Sequence, residues 1–344
     1  MKLGIIGLGG SGKTTVFEAL TSEASGGSKG ENHIAMIPVP DNRIDKLSNM
    51  YNPKKTIYAQ VEYLLPGRGG QKPDSRGEDA LIRAVRDVDA LIHVVRNHAA
   101  YGLDAPDPAG DFIRLEQDLI IADLSVVEKR LERIAADSKK KGKGLDREEE
   151  ALLIKCREGL ENETPLRKFP EIAGSPLLRG FGFVSAKPCL VLFNNADEDE
   201  TMPEASGPLA SETAMVVRGK LEQELAQMTD EDAAELLEEF NISAPATDRA
   251  IRASYKILGL ISFFTVGEDE VRAWTIKSGT TAVDAAAAIH TDIQKGFIRA
   301  EVVSYDDLME AGSMVAVKKE GKFRLEGKTY EVLDGDIINF RFNV

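Results

Sequence analysis

The sequence contains little cysteine or histidine and no long apolar segment. Among its 344 residues are two cysteines and four histidines, and their spacings match neither a zinc motif nor a disulfide framework. No run of about 20 apolar residues predicts a membrane-spanning helix. The chain enters a glycine-rich segment directly after its first apolar run, so we expect no signal peptide. These absences exclude disulfide-stabilised and membrane-spanning classes and predict a cytoplasmic protein.

The sequence also lacks an excess of positive charge. Its formal net charge is −14, whereas nonspecific nucleic-acid binding depends on lysine and arginine side chains that neutralise phosphates. Any contact with RNA therefore requires a local basic patch. The lysine-rich segment 139–144 is such a candidate, and a solvated turn is the alternative interpretation of it.

Residues 2–20 carry the clearest functional signal. The apolar run at 2–6 predicts a buried strand, and the apolar spacing at 16–20 predicts a helix. Between them, residues 7–14 spell G-x-x-x-x-G-K-[ST], the motif of a phosphate-binding loop. Glycines let backbone N–H groups converge on a phosphate, and the helix N-terminus attracts the anion. A glycine-rich turn with a chance Lys-Thr pair is the alternative.

The motif predicts the role of each residue in the loop. Lys13 is expected to reach the β- and γ-phosphates, and the Thr14 hydroxyl is expected to occupy one position on Mg²⁺. The predicted ligands are therefore GTP or ATP together with Mg²⁺, and no catalytic residue is assigned. The predicted phosphate-binding residues are Gly9, Gly10, Ser11, Gly12, Lys13, Thr14 and Thr15.

Strands and helices alternate after this loop. The apolar patterns predict strands at 34–39, 60–65, 90–95 and 188–193 and helices at 41–50 and 79–88. Such alternation predicts an α/β fold with a parallel sheet and a ligand site at the carboxyl ends of its strands. The segments 22–30 and 66–77 are predicted loops, at the places where P-loop GTPases carry their switches.

A helical insertion interrupts this pattern. Apolar residues recur at alternating spacings of four and three, which is the seam of a coiled coil; they are Ile120, Leu124, Val127, Leu131 and Ile134, followed after the lysine-rich segment by Leu153, Cys156 and Leu160. The sequence therefore predicts two antiparallel helices with a basic tip.

The C-terminal region has a different pattern. An amphipathic helix is predicted at 248–258, and a helix capped by Thr280 or Thr281 is predicted to extend through Ile289. Strands are predicted at 271–276, 297–303, 322–325, 330–333 and 337–342. A small mixed sheet around one helix, a β-grasp, fits this order.

Specific segments of the C-terminal region carry a family signature: EVRAWTIKSGTT at 270–281, IHTD at 289–292, KGFIRAEV at 295–302 and DGDIINFRFNV at 334–344. With PVPD at 38–41, VE at 61–62, HVVR at 93–96, and ADL and VEKRL within 122–131, they resemble the YchF/Obg-like ATPase family of translation-associated P-loop proteins. The resemblance covers almost the whole chain and identifies the C-terminal region with the family's TGS-type domain.

The resemblance implies a nucleotide-hydrolysing switch that engages the ribosome or ribosomal RNA, and we expect a monomer. The predicted domains are a P-loop nucleotide-binding domain at 1–110 and 182–260, an inserted coiled-coil domain at 111–181 and a TGS-like β-grasp domain at 261–344.

The sequence departs from this family at the metal-binding positions. In the family, the strand that begins Val-Glu leads into Asp-x-x-Gly, whose Asp supports Mg²⁺ and whose Gly meets the γ-phosphate. Here Leu65 replaces that Asp, although Gly67 remains nearby, and the segment before Pro38 lacks the Thr expected to close over the metal. Because charge would be poorly neutralised during phosphoryl transfer, we expect weak or impaired hydrolysis. The alternative is a non-hydrolysing scaffold that docks through its coiled-coil and β-grasp domains.

The base-binding residues remain open between two alignments with the family. Counting without a gap places Asn194 and Asp197 on the family's Asn-x-x-Glu, and an Asp carboxylate suits the N1 and N2 hydrogens of guanine. A shift by one residue selects Asn195 and Glu198, the family spelling associated with adenine. The sequence leans towards the first alignment, and a solvated acidic loop is the third possibility. His93 lies on a predicted buried strand and is interpreted as a core residue.

Overall fold

The computed structural model describes residues 1–23, 30–67, 76–141 and 147–343, without the side chains of 76–79, 138–141 and 230. Much of both predicted switch loops and the tip of the predicted hairpin, with its lysine side chains, therefore lie outside the described residues. The chain divides into two compact units. The first contains residues 1–36 and 62–250, and the second contains residues 37–61 and 251–344.

Twelve strands are present in the described residues. They are β1 (Lys2–Ile6), β2 (His33–Pro38), β3 (Lys55–Ile57), β4 (Gln60–Leu65), β5 (Ala90–Asn97), β6 (Cys189–Asn195), β7 (Thr213–Val217), β8 (Leu260–Val266), β9 (Glu270–Lys277), β10 (Phe297–Ser304), β11 (Arg324–Glu326) and β12 (Asp336–Phe342). They form two six-stranded sheets.

The α-helices of the described residues connect these strands. They are α1 (Lys13–Thr21), α2 (Asn42–Tyr51), α3 (Arg76–Ala84), α4 (Pro108–Lys141), α5 (Arg147–Glu161), α6 (Pro170–Ala173), α7 (Gly219–Leu225), α8 (Asp230–Glu239), α9 (Ala246–Leu258), α10 (Ala282–Ile289), α11 (Thr291–Lys295), α12 (Tyr305–Ala311) and α13 (Met314–Lys319). No described helix is both long enough and apolar enough to cross a bilayer.

The first sheet confirms the predicted α/β architecture. Its strand order is β2-β4-β1-β5-β6-β7, and β1 pairs in parallel with both β4 and β5, while β6 pairs in parallel with β5 and β7. The central strands are buried on both faces, so they read as continuous apolar runs. The carboxyl ends of β1, β5 and β6 consequently meet at one edge of the sheet.

The helix α4 belongs both to the core of the first unit and to the predicted coiled coil. Its first turns pack Phe112, Leu115 and Leu119 among core residues of the sheet. Further along, seam residues such as Val127 pack in a cluster with α5 residues such as Cys156. One helix therefore runs from the sheet core into the predicted hairpin.

A bidentate ion pair reinforces this hairpin. Arg130 of α4 donates to both carboxylate oxygens of Glu149 in α5, at 2.7 and 2.8 Å.

The sheet of the second unit has the predicted β-grasp pairing. Its order is β11-β10-β12-β8-β9-β3, with β12 parallel to β8 and antiparallel to β10. The helix α10 packs Ala282, Ala285 and Ala286 in the core of this unit. Thr281 is the N-cap, and its hydroxyl accepts from the Asp284 N–H.

Two features of the second unit differ from the sequence-based expectation. The predicted strand at 330–333 is wrong, since its only pairing in the described residues is one bridge between Thr281 and Glu331. The backbone of this segment instead hydrogen-bonds to the start of α10, where the Tyr330 carbonyl oxygen accepts from the Ala282 N–H.

The second difference concerns residues 37–61, which the sequence-based division places with the nucleotide-binding domain. In the structure β3 adds to the edge of the β-grasp sheet, parallel to β9. Arg43 of α2 donates to Asp334 at 2.7 Å and its guanidinium lies 5.2 Å from the centre of the Phe264 ring. These contacts make residues 37–61 part of the second unit.

Candidate nucleotide-binding site

The predicted phosphate-binding loop connects β1 and α1, and its glycines adopt conformations that other residues avoid. Gly10 and Gly12 have φ values of 79° and 86°, in the left-handed region. A Cβ on Gly7 would lie 2.4 Å from the Val94 carbonyl oxygen, and one on Gly12 would lie 2.1 Å from Asn194 Nδ2. The motif spacing therefore fits a loop that is pressed against β5 and β6.

The side chains of Lys13 and Ser11 face into this loop. Lys13 Nζ donates to the carbonyl oxygens of Gly7 and Leu8, both at 2.7 Å. Ser11 is buried, and its hydroxyl has no hydrogen-bond partner in the part of the chain that the structure describes. An unpartnered buried hydroxyl, an ammonium group and exposed Gly9 and Gly10 fit a phosphate ligand.

Asn194 joins the loop to α7. Its Nδ2 donates to the Ser11 carbonyl oxygen at 3.0 Å, and its Oδ1 accepts from the Gly219 N–H at 3.1 Å. A Cβ on Gly219 would lie 2.4 Å from Asn194 Oδ1. The two bonds require one orientation of the amide, so Asn194 fixes the loop against the first residue of α7.

The other predicted base-binding residues have different surroundings. Asp197 is half-buried, and its Oδ1 accepts from the Leu221 N–H at 3.1 Å, which places its carboxylate at the N-terminus of α7. Asn195 points elsewhere: its amide bonds the side chain of Asn97 and the carbonyl oxygens of Asp199 and Thr201. Glu198 is exposed. The structure thus brings Asn194 and Asp197 together at α7.

Comparison with known proteins agrees with this architecture over the whole chain. The Ribosome-binding ATPase YchF of Bacillus subtilis is 37% identical over 367 residues, which cover 99% of each chain. The protein of the same name from Escherichia coli O157:H7 is 36% identical over 365 residues, covering 100% of this chain and 99% of its own. The chain belongs to the YchF family.

Two further comparisons support the YchF assignment. The family model YchF-GTPase_C, described as a protein of unknown function (DUF933), matches residues 260–343. The solved structure of the Schizosaccharomyces pombe YchF GTPase superimposes with a TM-score of 0.82 at 28% identity, covering 99% of this chain and 97% of the other.

The metal side of the site departs from the pattern of the YchF family that the sequence led us to expect. Leu65 ends β4 beside the loop and is a buried apolar residue. No group of three or more acidic, histidine or cysteine side chains among the described residues could hold a metal ion. Thr14 is exposed at the start of α1. Mg²⁺ would thus have the Thr14 hydroxyl as a protein ligand and would depend otherwise on phosphate oxygens and water.

Gly67 lies two residues after Leu65, one position before the Gly of the family's Asp-x-x-Gly spacing, and its amide already has a partner. Its N–H donates to Asn32 Oδ1 at 3.0 Å, and a Cβ there would lie 2.5 Å from the Glu31 carbonyl oxygen. The Gly67 amide is therefore engaged by the protein itself.

The two histidines nearest the site differ in environment. His93 is buried and stacked on Phe112 with ring centroids 5.1 Å apart, as its place on a buried strand predicts. Burial, with additional contributions from the charges of Arg167 and Lys13, lowers the pKa of His93 to about 3. Its imidazole is therefore neutral near pH 7. His98 follows β5 and is half-buried.

Sequence reasoning missed the residues that hold α7. Arg218 Nη2 donates to the Phe240 carbonyl oxygen at 2.6 Å, and the backbone N–H of Arg218 donates to Glu222 Oε1. Glu222 is buried and also bonds Arg249, which in turn donates to the Val216 carbonyl oxygen. Arg218 and Glu222 are four residues apart in a polar stretch, and no local pattern identifies Arg249 as their partner.

Proposed function

We propose that this YchF-family chain binds a purine nucleoside triphosphate in the loop of residues 7–15. The loop composition and geometry carry the proposal, because the Lys13 ammonium group, the buried Ser11 hydroxyl that has no partner among the described residues, and the N-terminus of α1 all belong to this one loop. Phosphate oxygens would replace the Gly7 and Leu8 carbonyl oxygens as acceptors for Lys13.

Equilibrium titration with fluorescent GTP and ATP analogues tests this proposal. We expect Lys13→Ala to weaken binding at least about 100-fold, because a buried charge-assisted contact to phosphate is lost. Lys54→Ala is the matched control, since Lys54 is an exposed lysine paired with Asp269 in the second unit. Equal affinity of the Lys13→Ala protein and the unaltered chain would refute the site.

We further propose that the base is guanine. The support is that the two asparagines have different partners. Asn194 donates to the Ser11 carbonyl oxygen in the phosphate-binding loop, whereas Asn195 donates to the Thr201 carbonyl oxygen in the loop that follows β6. With Asn194 in that position, Asp197 is the carboxylate that follows at the correct spacing. Tighter binding of ATP than of GTP, with Asp197→Ala leaving the preference unchanged, would instead favour adenine and contradict this assignment.

Hydrolysis is proposed to be weak. Leu65 supplies no carboxylate for the Mg²⁺ shell, so little of the chain would neutralise charge at the γ-phosphate. Single-turnover measurements with saturating protein test this directly. Rapid turnover that Lys13→Ala abolishes would contradict the proposal.

The partner proposed for this chain is the ribosome or ribosomal RNA, because the relatives from Bacillus subtilis and Escherichia coli O157:H7 are named ribosome-binding ATPases. We therefore place the chain in the cytoplasm, as a monomer when it is not bound. A scaffold that docks through the helical hairpin and β-grasp without hydrolysis is the second candidate, and the buried Leu65 favours it. Co-sedimentation with ribosomes in GTP, in GDP and without nucleotide separates a nucleotide-dependent switch from a constitutive adaptor.

A further inference from the structure

The loop between β5 and α4 places an apolar side chain on the phosphate-binding loop. A Cβ built on Gly10 would lie 2.8 Å from Leu103 Cδ1, so the leucine methyl group lies directly against this glycine. Leu103 nevertheless remains 48% exposed. Leu103 thus places a half-exposed apolar side chain in contact with the proposed phosphate-binding loop.

Backbone and side-chain bonds hold Leu103 in this position. Arg96 is buried at the end of β5, and its guanidinium donates to the carbonyl oxygens of His98 at 3.1 Å and Ala105 at 3.4 Å. The Leu103 N–H bonds the Ala100 carbonyl oxygen, and Gly102 between them has a φ of 77°. The Arg96 guanidinium therefore binds both ends of the segment 98–105, and the tight turn within this segment places Leu103 against Gly10.

The contact falls where phosphates would be held. Gly10 lies in the middle of the motif, between the strand and the Lys13 ammonium group, and it is exposed apart from this leucine. Apolar side chains over a phosphate site exclude water and obstruct the exit of the ligand. Leu103 is thus positioned to act on bound nucleotide through the loop that it covers.

We propose that Leu103, held by Arg96, is a cover that slows the dissociation of nucleotide from the phosphate-binding loop. This inference rests on the proposed nucleotide binding. It adds that the residence time of bound nucleotide depends on an apolar contact from outside the motif. Leu103 and Arg96 are positioning residues, because neither is placed in contact with the phosphates.

Displacement of methylanthraniloyl-GTP by excess unlabelled GTP, followed by stopped-flow fluorescence on the full chain, tests the cover. We expect Leu103→Ala to raise the dissociation rate about fivefold, with a smaller change in the association rate, because about half of a leucine contact is lost. Arg96→Lys keeps the charge but removes the fork that joins two carbonyl oxygens, and we expect it to raise the same rate about twofold. Leu103 is half-exposed, so its replacement leaves the fold intact.

Leu333→Ala is the matched control, since Leu333 is 57% exposed and belongs to the second unit. Its dissociation rate should equal that of the unaltered chain. If the unaltered chain binds the labelled nucleotide and Leu103→Ala releases it no faster than Leu333→Ala, the cover is refuted while nucleotide binding stands. If the unaltered chain binds neither labelled GTP nor labelled ATP, the proposed function itself fails and the cover fails with it.

Discussion

At the scale of single residues, Asn194 does the most to shape the site. It satisfies one carbonyl group and one N–H group that are otherwise buried, and it does so between the phosphate-binding loop and α7. Replacement by alanine leaves both backbone groups without a partner and opens a gap beside Gly12 and Gly219. A buried unpaired polar group costs about 1–3 kcal/mol.

Asn194→Ala is therefore expected to lower the free energy of unfolding by about 2–4 kcal/mol and to weaken nucleotide binding as the loop loosens. Urea denaturation and nucleotide titration measure the two effects. Asn339→Ala serves as control, because Asn339 is an exposed asparagine that bonds Glu301 on the β-grasp sheet. A variant with unchanged stability and affinity would show that the Asn194 bonds do not hold the loop.

His93 gives a pH-dependent prediction at the same scale. Its pKa is lowered to about 3 in the fold, with burial as the main cause, against about 6.5 for an unfolded histidine. Between these values the unfolded chain binds one more proton than the folded chain, so stability falls as pH decreases below about 6.5.

We expect this histidine to contribute a loss of up to about 1.4 kcal/mol per pH unit over that range. His93→Phe keeps the stack on Phe112 and removes the titrating group, so its unfolding free energy should depend less steeply on pH between about 6 and 4. Urea denaturation at several pH values provides the comparison. Identical slopes for the two proteins would contradict a buried neutral His93.

At the scale of secondary-structure elements, Arg43 holds α2 to the β-grasp part of the same unit. Arg43 joins the N-cap residue Asp41 to Asp334, and Asp334 also accepts from the Ser262 N–H at 2.9 Å. The guanidinium packs over Phe264 as well. Because Arg43 is partly buried and makes several bonds, it contributes more than an exposed ion pair would.

Arg43→Ala is expected to cost about 1–2 kcal/mol and to increase hydrogen exchange in α2 and β8. Lys54→Ala removes the exposed pair with Asp269 instead, and we expect it to change stability by less than about 0.5 kcal/mol. Hydrogen exchange followed by mass spectrometry resolves the affected segments. Equal protection in both variants would argue against Arg43 as the link between α2 and the β-grasp.

The elements that could be predicted are those with a strong local signal. The motif of residues 7–14 and the largely apolar runs of β5 and β6 predict these strands and the loop, and the heptad spacing predicts α4 and α5. The short strand β3 contains one apolar residue, Ile57, and forms only because β9 offers a free edge. The segment 330–333 has a strand-like composition, but its backbone is used around α10. Such outcomes depend on tertiary partners that no local window contains.

The site was predictable to a similar extent. Gly12 and Lys13 follow from the motif, and the asparagines at the end of β6 follow from its position beside the loop. The choice between Asn194 and Asn195 depends on which face of the strand each side chain occupies, and no local sequence pattern gives that. The contact of Leu103 with Gly10 joins segments about 90 residues apart, and no periodicity or motif marks it.

At the scale of the whole molecule, the chain passes between its two units at residues 36–37, 61–62 and 250–251. The first two of these positions bound residues 37–61, which follow the predicted first switch loop in sequence. Residues 37–61 therefore belong to the second unit, which contains the β-grasp. The strand β2, which begins at His33, continues from the first unit into the second. This connectivity gives the proposed ribosome-associated switch a covalent route from the phosphate-binding loop to its docking domain.

The central claim is that a triphosphate occupies the loop around Lys13. A crystal structure of the full chain grown with Mg²⁺ and a non-hydrolysable GTP analogue tests it most directly. We expect density for the phosphates within the loop, with Lys13 Nζ moved from the Gly7 and Leu8 carbonyl oxygens onto phosphate oxygens. A loop without phosphate density, in which Lys13 still bonds those two carbonyl oxygens at saturating analogue, would show that residues 7–15 do not bind a triphosphate.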